Sequence, residues 1–439
     1  PAMEAEGISS PLGQRSQPGQ TLPATETDTD SMNTREGSAA FVAPLVVLAL
    51  GHMLSNMLRT LPAIAADVLT HDLQVSAEGL ASLTGAYHFA FAAGQIPLGV
   101  ALDRFGVRPV SLVLLGTVLV GSVLAALVGG PGGFLIAQMV LGLGCCGMLL
   151  CPMTLAAKLL TPAKFGLWSG LIQALGNVGM LLSASPLAWL VEHHGWRAGF
   201  WAAAGMAVVV ALLVRLAVPA PIPADGPHPS LMADARAVLR LGTGRSLRGI
   251  ILLAFASFAV IIGVRGLWGG PWLMEVKGLE RIPAGNVLLL VTLSLIVGPA
   301  LAGVLDRRLG HRRILLAIGH GLAGLLLLLV AGGAPGGWLS GLAGLPMLPV
   351  AADAGLLFAF GLAISIQPLL FAMTRAAVPP DQAGKALSAT NLSFFLGGAV
   401  LQAASGPVGA SGGPGAAIAF LGVSVLAGTV LFLATTRRS

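Results

Sequence analysis

Long apolar runs, separated by short charged or glycine-rich breaks, fill the chain from residue 41 to residue 435. An α-helix needs about 20 apolar residues to cross a bilayer. Twelve runs reach that length, and they predict spans at 41–69, 77–102, 108–129, 133–157, 165–191, 196–217, 249–274, 284–305, 312–332, 351–376, 384–407 and 413–435. The pattern therefore predicts an all-α polytopic membrane protein with 12 transmembrane helices.

A charged turn occurs twice along this pattern. The stretch Gly99–Arg108 joins the second and third predicted spans, and a relative of it at Ala302–Arg313 joins the eighth and ninth. A repeat at matching points predicts two pseudo-symmetric six-helix bundles. The predicted organisation is a disordered cytoplasmic tail at 1–40, an N-terminal bundle at 41–217, a cytoplasmic linker at 218–248, a C-terminal bundle at 249–435 and a cytoplasmic tail at 436–439. The linker is expected to contain a short helix on the membrane surface.

The composition agrees with a bilayer environment. Charged residues make up 10% of the chain and hydrophobic residues 55%, whereas an ordinary soluble domain has about 25% charged residues. The three cysteines at positions 145, 146 and 151 match no common metal or disulfide spacing. The sequence also lacks a phosphate-binding glycine loop and a nucleophile with its base. We therefore expect no enzyme activity, no cofactor, no metal site and no nucleic-acid partner.

The distribution of Lys and Arg predicts the orientation, because cytoplasmic loops carry an excess of basic residues. With both termini in the cytoplasm, nineteen of the 24 basic residues lie on the cytoplasmic side, three lie outside and two fall within spans. The expected location is the cell (inner) membrane, as a multi-pass protein with both termini cytoplasmic. The formal net charge of +6 is thus a signature of topology.

The first charged turn reads Gly-x-x-x-Asp-Arg-x-Gly-x-Arg, and the second copy has one extra residue between Asp306 and Gly310. Together with twelve spans in a 6+6 arrangement and a long central loop, this turn resembles that of the major facilitator superfamily over about residues 41–435. Gly195-Trp196-Arg197 before the sixth span is similar to the family as well. The resemblance implies a transporter that works by alternating access.

In that family the turn acts as a conformational latch between the two halves. Physically, Gly106 permits a tight turn, and Asp103 is a carboxylate that needs an Arg or a helix N-terminus as its partner. The alternative is a solvated turn that only fixes topology. The predicted latch residues are Gly99, Asp103, Arg104, Gly106, Arg108, Asp306 and Arg307.

Two arginines fall within spans, where a charge costs about 2.5–3.5 kcal/mol on insertion scales. Arg59 precedes Asp103 by 44 residues, and Arg265 precedes Asp306 by 41. In a facilitator fold their two spans, the first and the seventh, line the central cavity. Two facing guanidinium groups could hold a phosphate or carboxylate, as in the organic-anion transporters of the superfamily. Alternatively, both arginines reach the outer interface or pair with carboxylates such as Asp67 and Glu275.

Other polar residues within spans are candidates for the same cavity. Tyr87, Gln173 and Asn391 are predicted to contact substrate, although helix packing is an equal alternative for the two amides. His52 and His88 are candidates for a coupled proton, because histidine titrates near physiological pH. A histidine that is hydrogen-bonded between helices is the competing interpretation.

The sequence thus predicts a secondary transporter of a small organic anion, either a carboxylate or a phosphate ester, gripped by Arg59 and Arg265. Symport with protons and antiport with a counter-anion both remain open. The rival functions are a proton-coupled exporter of apolar or cationic compounds and a non-transporting membrane sensor. The expected partners are the anionic substrate, the lipid bilayer and a coupled proton or counter-anion, with the protein acting as a monomer.

Overall fold

The computed structural model describes residues 41–75, 77–182, 185–220 and 231–436. The predicted tail at 1–40, the middle of the linker and the last three residues lie outside this range. The described residues are almost entirely helical and contain no β-strand. The predicted all-α class is therefore confirmed.

The first six spans follow the predicted order, with small shifts at their ends. They are span 1 at Val42–Ile64, span 2 at Ala77–Phe105, span 3 at Val107–Leu127, span 4 at Pro131–Cys145 and Leu150–Leu159, span 5 at Pro162–Leu182 and Ser185–His194, and span 6 at Trp196–Ala217. A short helix, Ala66–Leu73, follows span 1. Spans 3 and 6 start after glycines with positive φ, Gly106 at 80° and Gly195 at 76°, a conformation that favours glycine.

The second six spans begin after the linker. They are span 7 at Arg248–Gly263, extended by helical turns to Val276, span 8 at Arg281–Leu309, span 9 at Arg312–Gly332, span 10 at Val350–Ile364 and Pro368–Ala376, and spans 11 and 12 within Ala383–Thr435. Short helices lie at Trp338–Leu342 and Pro380–Gln382.

Spans 11 and 12 follow each other directly, and a kink separates them into two helices. Gly413 interrupts them with φ 76° and ψ 179°, and Pro414 follows. Ten described helices are long and apolar enough to cross a membrane, and Pro380–Thr435 is one of them. With that helix divided at Gly413 and the 29-residue Ala77–Phe105 added, the described helices match the twelve predicted spans.

Spans 4 and 10 are both interrupted, at equivalent places in the sequence repeat. Span 4 is interrupted before Leu150, and span 10 is interrupted before Pro368. A proline is tolerated in the first turn of a helix but not in its interior, and Pro152 and Pro368 each lie in the first turn of the second segment. The described residues from Ala43 onward form one compact unit, so the division into two bundles stays a prediction from the sequence repeat.

The linker helix is present at Leu231–Thr243, as expected from its apolar face. Its Val238 is fully buried in a small cluster with Val100 of span 2 and Ala389 of span 11. The helix therefore rests on protein, in addition to any contact with a membrane surface. The apolar face of the helix packs against spans 2 and 11. The sequence prediction of a helix on the membrane surface did not include this contact.

Candidate functional site: a central cavity with two arginines

A cavity of about 150 Å³ lies between the spans. In the first sequence repeat it is lined by spans 1, 2, 4 and 5, and in the second by spans 7, 8, 10 and 11. Five of the predicted site residues contribute to its wall: Arg59, Arg265, Gln173, Asn391 and His52. The structure thus brings together the residues that sequence reasoning had selected from four different spans.

Arg59 sits against aromatic rings from both sequence repeats. Its guanidinium carbon is 5.4 Å from the ring centre of Phe91 in span 2 and 5.3 Å from that of Phe395 in span 11. Cation–π contacts of this length are attractive, more so away from water. The Nε of Arg59 is buried and has no hydrogen-bond partner in the part of the chain that the structure describes.

Arg265 lies in a π-helical turn, Val264–Trp268, that continues span 7. Such turns widen a helix locally and are frequent at functional sites. The Nε of Arg265 donates to Oγ1 of Thr292 at 2.9 Å, and its Nη1 lies 3.3 Å from Sδ of Met180 in span 5. Like Arg59, Arg265 therefore contacts the opposite sequence repeat.

Neither arginine has a carboxylate partner among the described residues. The ion pairs recorded there involve Asp72, Asp306 and Asp353, and none of them includes Arg59 or Arg265. Of the two acids proposed as alternative partners, Glu275 is exposed on a later turn of span 7, and the side chain of Asp67 lies outside the described set. Two cationic groups thus face one cavity, and no described carboxylate forms an ion pair with either of them.

Amide side chains crosslink the spans around the cavity. Gln173 donates to Oδ1 of Asn177 at 3.3 Å, and Asn177 in turn donates to the carbonyl of Leu295 in span 8 at 2.5 Å. On the other side, Asn391 donates to Oε1 of Gln95 at 2.8 Å. The predicted amides therefore combine a place in the cavity wall with a packing role.

The two histidines differ in position. His52 is buried, and its ring packs against Gly176 of span 5. A Cβ at Gly176 would lie 1.8 Å from Cδ2 of His52. Its Nε2 has no hydrogen-bond partner within the described structure. His88 is outside the cavity lining and makes an edge contact with Tyr87 at 5.2 Å between ring centres.

Tyr87 is also absent from the cavity wall. It is buried behind Phe91, with 6.1 Å between the two ring centres. The backbone of span 4 approaches it closely, because a Cβ at Gly142 would lie 2.2 Å from the Tyr87 carbonyl. In this conformation, therefore, Tyr87 supports the wall rather than forming it.

We use the term turn end for the end of the molecule that carries residues 103–108 and 306–312. Here Asp103 accepts hydrogen bonds from the backbone N–H groups of Gly384 and Lys385, at 3.1 and 3.0 Å. These two groups open the helix of span 11, so the carboxylate lies at a helix N-terminus. A Cβ at Gly99 would lie 2.7 Å from Cβ of Ser388 in the same span.

The second turn mirrors this arrangement with a different partner. Arg312 grips Asp306 through two nitrogens, at 2.8 and 2.9 Å, and also donates to the carbonyl of Pro162 at the start of span 5. Asp306 lies against Gly166 of span 5, where a Cβ would lie 1.7 Å from its Oδ2. The two aspartates thus lie at the beginnings of spans 11 and 5.

The remaining predicted latch residues lie close to the two turns. Arg108 donates from Nη2 to the carbonyl of Arg215 at 2.6 Å, which ties span 3 to the end of span 6. Arg104 lies in the last turn of span 2. Arg307, next to buried Asp306, is exposed.

Two further clusters tie loops together away from the turn end. Asp72 accepts from the indole N–H of Trp196 at 2.9 Å and from Arg197 at 3.3 Å. The indole hydrogen bond is the main reason that the pKa of Asp72 falls below its ordinary value, helped by His71 and Arg197. The Gly-Trp-Arg stretch at the start of span 6 therefore contacts the short helix Ala66–Leu73 that follows span 1.

The second cluster encloses a lysine and a tryptophan. Lys277, just after span 7, is buried and lies 2.8 Å from Asp353, and it donates to the carbonyls of Gly333 and Leu348 at 2.8 and 2.9 Å. Trp272 is fully buried and donates to Asp353 at 3.2 Å. Both side chains are drawn inward because the buried carboxylate needs donors.

The family follows from the match of residues 48–402 to the model described as Major Facilitator Superfamily. The chain belongs to the major facilitator superfamily. Proteins of this superfamily are membrane transporters, so the expectation that the chain is not an enzyme is confirmed. The structure agrees with that membership in its helix order and in its central cavity.

Two curated relatives have names that state a transport function. The putative niacin/nicotinamide transporter NiaP of Bacillus subtilis is 30% identical over 240 residues, which is 53% of this chain and 58% of that protein. The tetracenomycin C resistance and export protein of Streptomyces glaucescens is 30% identical over 228 residues, or 50% of this chain and 38% of that protein. Both matches thus cover less than two thirds of the relative's length.

Solved structures agree in fold at low sequence identity. A variant of the E. coli fucose:proton symporter FucP has a TM-score of 0.74 at 15% identity, covering 91% of this chain and 100% of that chain. The human organic anion transporter MFSD10 has a TM-score of 0.70 at 17% identity, covering 90% and 99% of the two chains. At these identities the likeness concerns the facilitator fold alone.

Proposed function

We propose that this superfamily member transports a small organic anion that is held in the central cavity between Arg59 and Arg265. The observation that carries the proposal is the pair of guanidinium groups that line one cavity with no carboxylate partner in the described part of the chain. A buried cation without a counter-charge is costly. An anionic substrate would remove that cost each time it binds, because guanidinium groups pair well with carboxylate and phosphate.

The relatives favour two different substrate classes. The name of the Bacillus relative covers niacin, which is a carboxylate at neutral pH, and nicotinamide, which is a neutral amide, whereas the Streptomyces relative is named as a tetracenomycin C resistance and export protein. The two cavity arginines favour a carboxylate, because guanidinium groups pair with carboxylates and a neutral amide leaves their charge unmatched. Antiport of anions and symport with protons are both compatible with this proposal.

Thermal stabilisation of the purified protein by anions tests the proposal, because a ligand that binds the folded state raises its melting temperature. Arg59→Lys and Arg265→Lys keep the positive charge but lose the planar fork. Each should weaken anion binding about tenfold or more, since charge-assisted hydrogen bonds are among the strongest polar contacts. Uptake into proteoliposomes should fall in parallel.

The matched control is Arg215→Lys, because Arg215 is exposed at the end of span 6, away from the cavity. It should bind anions like the unmodified protein. Equal anion affinity in Arg59→Lys, Arg265→Lys and the control would contradict the proposal. Binding of cationic compounds in place of anions would favour the exporter instead.

A second part of the proposal concerns the turn end. We infer that Asp103 and Asp306 act as latches that hold spans 2 and 11, and spans 5 and 8, together while the cavity faces away from the turn end. The hydrogen bonds of Asp103 to Gly384 and Lys385 and the contact of Asp306 with span 5 support this role. Opening of this end would then require Asp103 to leave the N-terminus of span 11 and Asp306 to leave its contact with span 5.

A further inference from the structure

We propose that the substrate is a monocyclic aromatic carboxylate, with its ring against the phenylalanine wall of the cavity and its carboxylate at the two arginines. This inference rests on the proposed anion transport and narrows it to one chemical class. Three observations support it: the aromatic lining, the position of Arg59 within that lining, and the size of the cavity.

The lining of the cavity contains a continuous aromatic cluster. Its members are contributed by four spans, and they are Phe91, Phe258, Phe371, Phe394 and Phe395. The ring centres of Phe91 and Phe395 are 4.1 Å apart, with 40° between the ring planes. Those of Phe258 and Phe395 are 5.0 Å apart, with 52° between the planes. Aromatic pairs in offset or edge-to-face contact are more favourable than their buried area alone accounts for, so this wall favours a ligand that carries a ring.

The position of Arg59 limits how far the ring and the charge can be separated. Its guanidinium carbon lies 5.4 and 5.3 Å from the ring centres of Phe91 and Phe395, and it sits beside this pair of rings, which belongs to the aromatic cluster. A ligand whose ring touches this cluster therefore has its charge within reach of Arg59 only if the carboxylate is attached at or near the ring. A long aliphatic acid would place a flexible hydrocarbon chain against the phenylalanine rings and would form no aromatic contact with them.

The size of the cavity selects a single ring. Its volume is about 150 Å³, and an apolar protein cavity of about that volume is known to hold benzene. A fused bicyclic acid would have to expand the wall, and core packing resists such expansion. One six-membered ring with a carboxylate fits the room between the phenylalanines and the arginines.

Polar atoms without partners agree with an oxygen-bearing ligand. The Nε of Arg59 and the Nε2 of Gln367 line the cavity, are buried and have no hydrogen-bond partner within the described residues. Both are donors, and Gln367 is only 8% exposed. A carboxylate supplies acceptors for such donors, whereas a hydrocarbon would leave them unsatisfied.

The test compares five probes by thermal shift and by calorimetry on the purified full chain: benzoate, benzamide, cyclohexanecarboxylate, 2-naphthoate and succinate. Benzoate should bind most tightly. Benzamide has the same ring without the charge and should bind about tenfold more weakly or worse. Cyclohexanecarboxylate has the charge without the aromatic faces and should bind about three- to tenfold more weakly. Naphthoate and succinate should bind more weakly than benzoate.

One variant pair assigns the effect to the aromatic wall. Phe395→Leu keeps an apolar side chain in the cavity but removes a ring, so it should weaken benzoate binding about three- to tenfold while changing cyclohexanecarboxylate binding little. Phe358→Leu is the control, because Phe358 is partly exposed in span 10 and outside the cavity lining. Its affinity for benzoate should equal that of the unmodified protein.

The outcomes separate this inference from the function on which it rests. If succinate stabilises the protein more than benzoate, and that effect is lost in Arg59→Lys, the aromatic assignment is wrong while anion transport stands. The aromatic assignment also fails if Phe395→Leu and Phe358→Leu bind benzoate equally well. If no anion depends on Arg59 or Arg265, both proposals are wrong.

Discussion

At the scale of single residues, Lys277 is a charge enclosed by protein. Its ammonium group meets Asp353 and the carbonyls of Gly333 and Leu348, while its side chain and that of Asp353 are inaccessible to solvent. The ammonium group therefore donates to two carbonyls and faces one counter-ion. Such a pair is costly to break, because the partner that remains is a buried charge with no counter-ion.

We expect Lys277→Met to lower the free energy of unfolding by about 3–5 kcal/mol, because Asp353 then stays buried without its cation. The double variant Lys277→Met with Asp353→Leu should regain most of that stability, since it removes both charges from the interior. Thermal unfolding in detergent measures both. Arg197→Met is the control, because its pair with Asp72 is partly exposed and should contribute much less. Equal losses in the single and double variants would contradict this account.

Some residues could be predicted from the sequence and others could not. Arg59 and Arg265 could be found because a charge inside an apolar run is visible without any knowledge of packing. Lys277 and Trp272 could not, because their roles depend on Asp353, which is more than 70 residues away along the chain. The phenylalanines of the cavity wall were missed for a related reason: an apolar residue facing a cavity looks the same in sequence as one facing lipid.

At the scale of elements, close contact between spans 5 and 8 depends on glycine. A Cβ at Gly170 would lie 2.0 Å from the carbonyl oxygen of Pro299, and one at Gly303 would lie 2.8 Å from the backbone of Leu167. The two helices meet backbone to backbone, as small residues allow in membranes. Span 5 belongs to the first sequence repeat and span 8 to the second. The contact therefore exists only in conformations in which these two helices touch.

Gly170→Ala should therefore destabilise this conformation by about 1–3 kcal/mol, the usual cost of overpacking. Transport should fall more than expression or membrane insertion, because each helix can still form. Gly116→Ala is the matched control, since a Cβ there meets nothing within 4 Å. Thermal unfolding and proteoliposome uptake are the measurements. Equal melting temperatures and equal uptake for the two variants would show that spans 5 and 8 have room for a side chain.

Element boundaries show where sequence reasoning on helices succeeds and where it fails. The break between spans 11 and 12 was predicted at residues 407–413, and the structure interrupts the helix at Gly413. The π-helical turns after Gly263 were not predicted, because an extra residue in a helical turn has no hydrophobic period of its own. One of these turns carries Arg265, so the sequence identified the residue without the local geometry that holds it.

At the scale of the whole molecule, the two charged turns have the same place in the repeat but different partners. The sequence allowed either an Arg or a helix N-terminus as the partner of Asp103, and the structure contains both solutions, one in each turn. Asp103 binds the N-terminus of span 11, and Asp306 binds Arg312 beside the start of span 5. The repeat predicted the position of the second aspartate but not which of the two partners it has.

The last prediction concerns the proposed latch. Asp103→Asn keeps one oxygen but loses the charge, so one of the two backbone N–H groups at Gly384 and Lys385 loses its acceptor. A loss of about 1.4 kcal/mol from the closed turn end shifts a two-state equilibrium tenfold. We expect that shift to lower transport, while insertion into the membrane stays normal because the spans themselves are unchanged.

Labelling at Ser388→Cys measures the opening directly, in a background from which the three native cysteines are removed. Ser388 is fully buried against Gly99 between spans 2 and 11, so a thiol reagent reaches that position only when the turn end opens. Asp103→Asn should raise the labelling rate about tenfold. Asp381→Asn is the control, because it removes an exposed carboxylate just before span 11 without touching the contact. If both variants label at the same slow rate and transport normally, Asp103 holds nothing closed, and the charged turn serves topology alone.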